Sequence, residues 1–193
     1  MDNAPLATTA DLQRLGYDVT DPMIARASAR IRAFTRQSIT LVEDDVSPPL
    51  EVSDPLYLPQ RPVVSVAKVE HVMPDDTLIE LPTLSWQLRN NAIYGVNHKQ
   101  FWPFMELTRW VRVTYTHGFA IVPDEILDVV GSVATRLANQ PVGMEAGIRQ
   151  RTIDDYAETF ATDALDVASD LLPGEKTALQ RILGARRNGT VAM

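Results

Sequence analysis

Arg109-Trp110-Val111-Arg112-Val113-Thr114-Tyr115-Thr116-His117-Gly118-Phe119, continued by Val122-Pro123-Asp124-Glu125-Ile126, reads as a β-strand, a glycine turn and a sharply started helix. Val111, Val113 and Tyr115 alternate with Arg112 and Thr114, the period-2 pattern of a strand with one buried face. Gly118 supplies backbone free to take a positive φ. Pro123 suits the first helical turn, where its missing N–H leaves nothing unpaired. Asp124 and Glu125 then sit on the positive end of the helix dipole.

Helical signals lie on both sides of this junction. Thr8 or Thr9 can cap a short helix carrying Leu12 and Leu15, which Gly16 ends. Thr20-Asp21-Pro22 marks a second start, with Asp21 as N-cap and Pro22 at the first helical position. Ile24, Ala27, Ile31 and Phe34 then share one face, with Arg26 and Arg30 outside it. Downstream, Ile126, Val130, Val133 and Leu137 form a stripe flanked by Leu127 and Ala134, wide enough for a core, and Asn139-Gln140-Pro141 ends it. Tyr156, Glu158 and Phe160 alternate as in an extended arm. Leu165, Ala168 and Leu172 fit a short helix before Pro173-Gly174. Leu179, Ile182 and Leu183 predict a last helix that ends near Arg186-Arg187.

Between Leu41 and Thr108 eight prolines forbid a long helix. Val63, Val64, Val66 and Val69 favour strand. Asp75-Asp76 resembles a hairpin turn, and Asn90-Asn91 joins Trp86–Arg89 to Ala92–Tyr94 in the geometry of a type I′ turn. The predicted class is α+β: a small helical bundle with an inserted antiparallel β-meander and an extended C-terminal arm ending in a helix. The helical core spans 1–140, the insertion about 41–116, and the arm with its helix 141–193.

The chain has 193 residues, enough to bury a core, and its 45% hydrophobic and 22% charged residues fit a soluble globular protein. No apolar run approaches the ~18 residues of a membrane span, and Met1-Asp2-Asn3-Ala4-Pro5 lacks the pattern of a signal peptide. Zero cysteines exclude disulfides and thiolate metal sites. A net charge of −7 gives no general attraction for nucleic acid. Arg26, Arg30, Arg32 and Arg36 on one helix, and Arg149 with Arg151, read as solvated faces.

No catalytic constellation stands out. His71, His98 and His117 show no zinc-ligand spacing, and His117 reads as a strand-end residue. Asp154, Asp155, Glu158, Asp163, Asp166 and Asp170 form the densest acidic stretch. A metal-dependent hydrolase built on the Asp154–Asp170 carboxylates is the enzyme alternative, although a solvated acidic surface explains them more simply. No nucleophile elbow, phosphate loop or dinucleotide fingerprint occurs. Trp86, Phe101, Trp102, Phe104 and Trp110 could stack bases in a DNA-binding accessory protein. Basic residues interleave them sparsely, which favours core or interface packing. No catalytic residue, metal or cofactor is expected.

The whole order of signals resembles the head–tail connector (adaptor) family of long-tailed phages and phage-derived particles. The resemblance rests on Ala27-Ser28-Ala29 with Ile31-Arg32-Ala33-Phe34-Thr35, on Leu58-Pro59-Gln60-Arg61-Pro62-Val63-Val64-Ser65-Val66, and on Val113-Thr114-Tyr115-Thr116-His117-Gly118-Phe119 with Val122–Ile126. The arm from Gly147-Ile148 to Phe160 and the helix from Pro173-Gly174-Glu175 to Leu179 extend it over nearly the whole chain. It implies a non-enzymatic virion protein made in the host cytoplasm and placed in the neck, at the head–tail interface. Members form a ring, usually of twelve copies, beneath the portal protein. They extend the DNA channel and give a docking platform to the next connector or stopper protein. Packaged DNA passes without specific binding, and no membrane is involved. On this resemblance Arg149, Arg151, Tyr156 and Phe160 of the arm, with Leu179, Ile182 and Leu183 of the last helix, are the expected portal or subunit contacts.

Overall fold

The strand quoted above, β8 (Trp110–His117), holds the centre of a five-stranded antiparallel sheet. The computed structural model describes residues 4–96, 108–139, 150–153, 156–159 and 171–184, with backbone only over 150–159. The chain divides into two compact units, one of Met1–Arg36 with Val122–Ile182 and one of Gln37–Ile121 with Leu183–Met193.

In the second unit β1 (Val42–Val46) and β2 (Leu50–Glu51) run in tandem along one side of β8, and β4 (Val63–Val72) pairs along the other, followed by β5 (Leu78–Glu80). Val111, Val113 and Tyr115 are fully buried, as their alternation predicts. They join Leu50, Leu56, Leu58, Val69, Leu81 and Ile93 in one apolar cluster. Between β1 and β2, where Pro48 and Pro49 have no N–H to offer, Ser47 continues the ladder. Its amide donates to the Val113 carbonyl at 2.8 Å and its Oγ accepts the Val113 N–H at 3.0 Å. Strands β3 (Leu56–Tyr57), β7 (Ala92–Gly95) and β6 (Trp86–Arg89) form a second, three-stranded sheet. Both predicted hairpin turns are present: Asp76 has φ 64° between β4 and β5, and Asn90 and Asn91 have φ 47° and 65° between β6 and β7.

The strands are antiparallel, as expected, but they do not meander in chain order. β8, the last of them, enters between β1 and β4. Its uninterrupted apolar face wins the centre, while the segments broken by Pro48, Pro49, Pro55 and Pro59 are confined to short pieces, because proline cannot complete a ladder on both sides.

The first unit contains α1 (Thr9–Arg14), α2 (Asp21–Thr35), α3 (Asp124–Ala138) and α4 (Pro173–Leu183), with a hairpin of β9 (Gln150–Ile153) and β10 (Tyr156–Thr159). Thr8 caps α1 in a reciprocal box with Asp11, and Gly16 follows at φ 88°. α2 starts one residue earlier than predicted, with Thr20 in the cap position and Asp21 already helical. Its buried face is Ile24, Ala27, Ser28 and Ile31. Phe34 is 37% exposed, with the Lys176 ammonium 5.8 Å from its ring centroid. Helical geometry accounts for this: at about 100° per residue Phe34 lies about 80° round from Ile24, and Ser28 only about 40°. Ser28 is satisfied there, donating to the Ile24 carbonyl and accepting the Leu6 N–H. α2 packs on α3, whose predicted stripe is buried throughout. Pro123 stands at the cap, one position outside α3, and Asn139 ends the helix.

Gly118 and Gly16 separate two costs of a side chain. Both have positive φ, 91° and 88°, but a Cβ at Gly118 would fall 2.6 Å from the Thr40 carbonyl carbon, whereas none meets anything within 4 Å at Gly16. Gly16→Ala is expected to cost only the left-handed penalty, about 1 kcal/mol. Gly118→Ala should cost at least about twice that, since backbone must also move. Chemical denaturation midpoints of the two variants check the order.

Candidate functional site

Two surfaces and one buried latch are built around β8. The latch comes first because it fixes the strand's C-terminal end. Alternation continues to His117, whose imidazole is almost wholly buried. Its Nε2 lies 3.0 Å from Asp45 Oδ2 on β1, and its Nδ1 lies 3.3 Å from Ser38 Oγ. The Tyr115 ring is tilted against it at 5.0 Å. Burial pushes the Tyr115 phenol well above its ordinary pKa, so it stays protonated, and its oxygen accepts the Gln60 N–H at 3.2 Å. Gln60 Oε1 in turn accepts the Ser38 N–H at 2.9 Å. Pro62 offers its carbonyl to the Gly118 N–H at 2.8 Å, and the next residue, Phe119, exchanges hydrogen bonds with Ile39 and Leu41. Side-chain amides complete this proline-rich stretch: Gln37 accepts the Arg61 N–H and Asn91 accepts the Val63 N–H. The two segments that carry the family resemblance, 58–66 and 113–119, therefore meet at Gly118 and Tyr115.

Serine, histidine and aspartate in contact invite a nucleophilic reading. The side-chain exposure of His117 is 2%, which denies a dissolved substrate access to the ring, and Asp45 is the more exposed partner at 42%. This is the reverse of a working triad, where the base must reach the reacting group. The constellation ties Ser38 and β1 to the strand end.

At the other end of β8 a groove of about 570 Å³ opens, walled by Pro49, Val72, Met73, Pro74 and Trp110. Thr108 stiffens its floor, donating to the Val72 carbonyl at 2.6 Å and accepting the Trp110 N–H at 3.1 Å. Glu51, Asp76 and Arg109 stand at its exposed rim. On the opposite side of Gly118, Ile121 is 87% exposed. Leu84 and Val96, near the β6 edge, are also exposed, at 89% and 59%.

In the first unit α4 is clamped to α3. Arg136 holds Glu175 with both terminal guanidinium nitrogens, Nη2 to Oε2 at 2.8 Å, and Ser132 Oγ donates to Glu175 Oε1 at 2.7 Å. The Leu172 N–H, just before the helix, donates to the same carboxylate at 2.8 Å, so Glu175 caps its own helix and docks it at once. At the opposite end of α3, Asp124 pairs with Arg14 at 2.6 Å. Hydrogen bonding from Arg14 holds its carboxyl below the usual range.

Of the expected contact residues, Leu179 and Leu183 are buried within the chain and Ile182 is half-buried. Arg151 lies on β9 opposite Glu158, and Tyr156 on β10 opposite Ile153. Arg149 and Phe160 lie outside the described residues, as do Asp154, Asp155, Asp163, Asp166, Asp170, His98, Phe101, Trp102 and Phe104. Trp86 packs against the strand core. Among the described residues no three His, Asp or Glu side chains converge as metal ligands.

No known protein family and no curated protein matches the sequence. Solved structures do match. A chain in the neck of a native gene transfer agent particle, determined with C12 symmetry, aligns over 100% of both chains at 15% identity and a TM-score of 0.50. A chain in the virion of the native gene transfer agent particle aligns over 98% of this chain and 94% of its own, at 18% identity and a TM-score of 0.52. At these identities the likeness establishes a common fold along the whole chain.

Two outcomes follow from the latch and the clamp. Tyr115→Phe removes the phenol oxygen that accepts the Gln60 N–H and should cost about 1 kcal/mol in denaturant stability without changing the fold. For Glu175, burial alone would raise the pKa, but the bonds from Arg136, Leu172 and Ser132 outweigh it and hold the carboxyl below its ordinary 4.5. A depressed folded-state value stabilises above the unfolded pKa and is lost as pH falls through the folded one. The melting temperature should therefore drop as pH falls below about 4.5, and in Glu175→Gln that dependence should be shallower. Glu175→Ala removes the carboxylate that accepts from Arg136, Ser132 and the Leu172 N–H and should cost about 2 kcal/mol at pH 7.

Proposed function

We propose that this chain is a non-enzymatic structural protein of a phage-like particle: a head–tail adaptor in the neck, assembled as a twelve-copy ring beneath the portal protein. One observation carries the reading. The fold matches, end to end, that of a chain in the neck of a gene transfer agent particle determined with C12 symmetry. The meeting of the two resemblance-bearing segments at Gly118 supports it independently, because those stretches form one structural unit. In this reading the ring extends the DNA channel and presents its outer face to the next stopper or connector protein. The net charge of −7 lets packaged DNA slide past without adhering.

The portal and neighbouring subunits are contacted by the arm, through Arg149, Arg151, Tyr156 and Phe160. The α4 residues Leu179, Ile182 and Leu183 serve it by fixing the helix from which contacts are made.

Removal of the protein from producing cells is expected to yield DNA-filled heads without tails, and supplying the wild-type chain in trans should restore tailed particles. Normal tailed particles in its absence, or purified particles that lack the protein, would overturn the proposal.

A further inference from the structure

We infer that, in the proposed ring, the arginine-flanked outer face of α2 on one copy is the docking surface for the acidic stretch 154–170 of the next. The inference rests on the ring reading above and names the pairing that joins its copies. α2 with its cap carries Arg26, Arg30, Arg32 and Arg36 against one carboxylate, Asp21, in a chain whose net charge is −7. Among the described elements no other holds more than two Lys or Arg residues. The stretch 154–170 is its complement, with Asp154, Asp155, Glu158, Asp163, Asp166 and Asp170 and no Lys or Arg at all. Contact between two different parts of neighbouring copies is heterologous, the form that a cyclic ring requires.

The shape of α2 suits such a segment. Ile24, Ala27, Ser28 and Ile31 lie on its buried side, and the helix packs on α3. The other side is open: Ala25, Arg26, Ala29 and Ala33 are all exposed. At about 100° per residue, Ala29 and Ala33 form a line with Arg26 and Arg30 along one flank and Arg32 along the other. Methyl side chains let a second backbone come close, and guanidinium groups on both flanks can meet carboxylates in charge-assisted hydrogen bonds. Unlike charges also steer the encounter and fix its register. The exposure of this face on the single chain leaves it for a neighbour's stretch.

Two variant chains, expressed in producing cells in place of the wild type, test the pairing. One carries Arg26→Glu and Arg30→Glu, the other Asp163→Arg and Asp166→Arg. Either chain alone sets like charges together at every contact, and the yield of tailed particles should fall at least about tenfold. Expressed together, the two can alternate around a ring so that unlike charges meet again, and the yield should return. Purified, each chain should melt at the wild-type temperature, which separates a lost contact from a lost fold. If Arg30→Glu lowers that temperature, Ala33→Glu takes its place beside Arg26→Glu. Full yield from either chain alone, or no recovery from a mixture of two folded chains, would overturn the inference while leaving the neck reading intact. Recovery by one chain carrying all four changes, but not by the mixture, would also overturn it, since the stretch would then serve its own helix. Purified wild-type particles that lack the protein would remove both readings.

Discussion

Gly118 donates its N–H to the Pro62 carbonyl with its α-carbon pressed against the Thr40 backbone, in a conformation that side chains rarely adopt. Much of the β unit depends on that approach. It sets where β8 stops, and so which residues face inward along the strand. It places His117 between Ser38 and Asp45, and it brings the proline-rich stretch at 58–63 against the strand end. A segment with so many prolines has few N–H groups of its own and cannot be held by a regular ladder. Tyr115, Gln37 and Asn91 hold it with side chains instead, at Gln60, Arg61 and Val63.

The helical unit solves the same problem with charge. Glu175 is nearly buried, and four donors converge on it from α3 and from the start of α4. Such a pair contributes little beyond what apolar packing would, but it is specific, because a different placement of α4 costs the carboxylate the three donors that α3 supplies. Close packing acts alongside it. Gly131 on α3 leaves room for the Tyr17 ring, and a Cβ there would fall 2.6 Å from the ring's Cγ. The exposed Arg14–Asp124 pair at the other end of α3 belongs to a weaker class, open to solvent and salt.

Local chemistry made much of this legible in the sequence. The Asn90-Asn91 turn, the Thr8 cap, the stripe of α3 and the alternation of β8 each declare themselves within a few residues. Phe34 did not, because a spacing of three and four residues drifts round a helix and the last member of the stripe left the buried sector. The central position of β8 was hidden for another reason: strand order depends on pairing between segments far apart in the chain. The same holds for the contacts that define the latch and the clamp. Ser38 and His117 are separated by 79 residues, and Arg136 and Glu175 by 39. Glu175 did leave one trace, an acidic residue two positions after Pro173, which is the spacing of a residue that caps its own helix. The groove beside Trp110 left none, since Pro49, Val72–Pro74 and Trp110 come to it from three separate segments.

Function in this account resides in surfaces, and the interior exists to hold them still. The buried histidine and the capped helices supply that rigidity. The most direct test of the account is a reconstruction of the intact neck in particles from producing cells, with no symmetry imposed. The account predicts a ring between head and tail whose density takes this chain's β8-centred sheet and helical unit, copy after copy. A fully resolved neck with no density for this fold would contradict it.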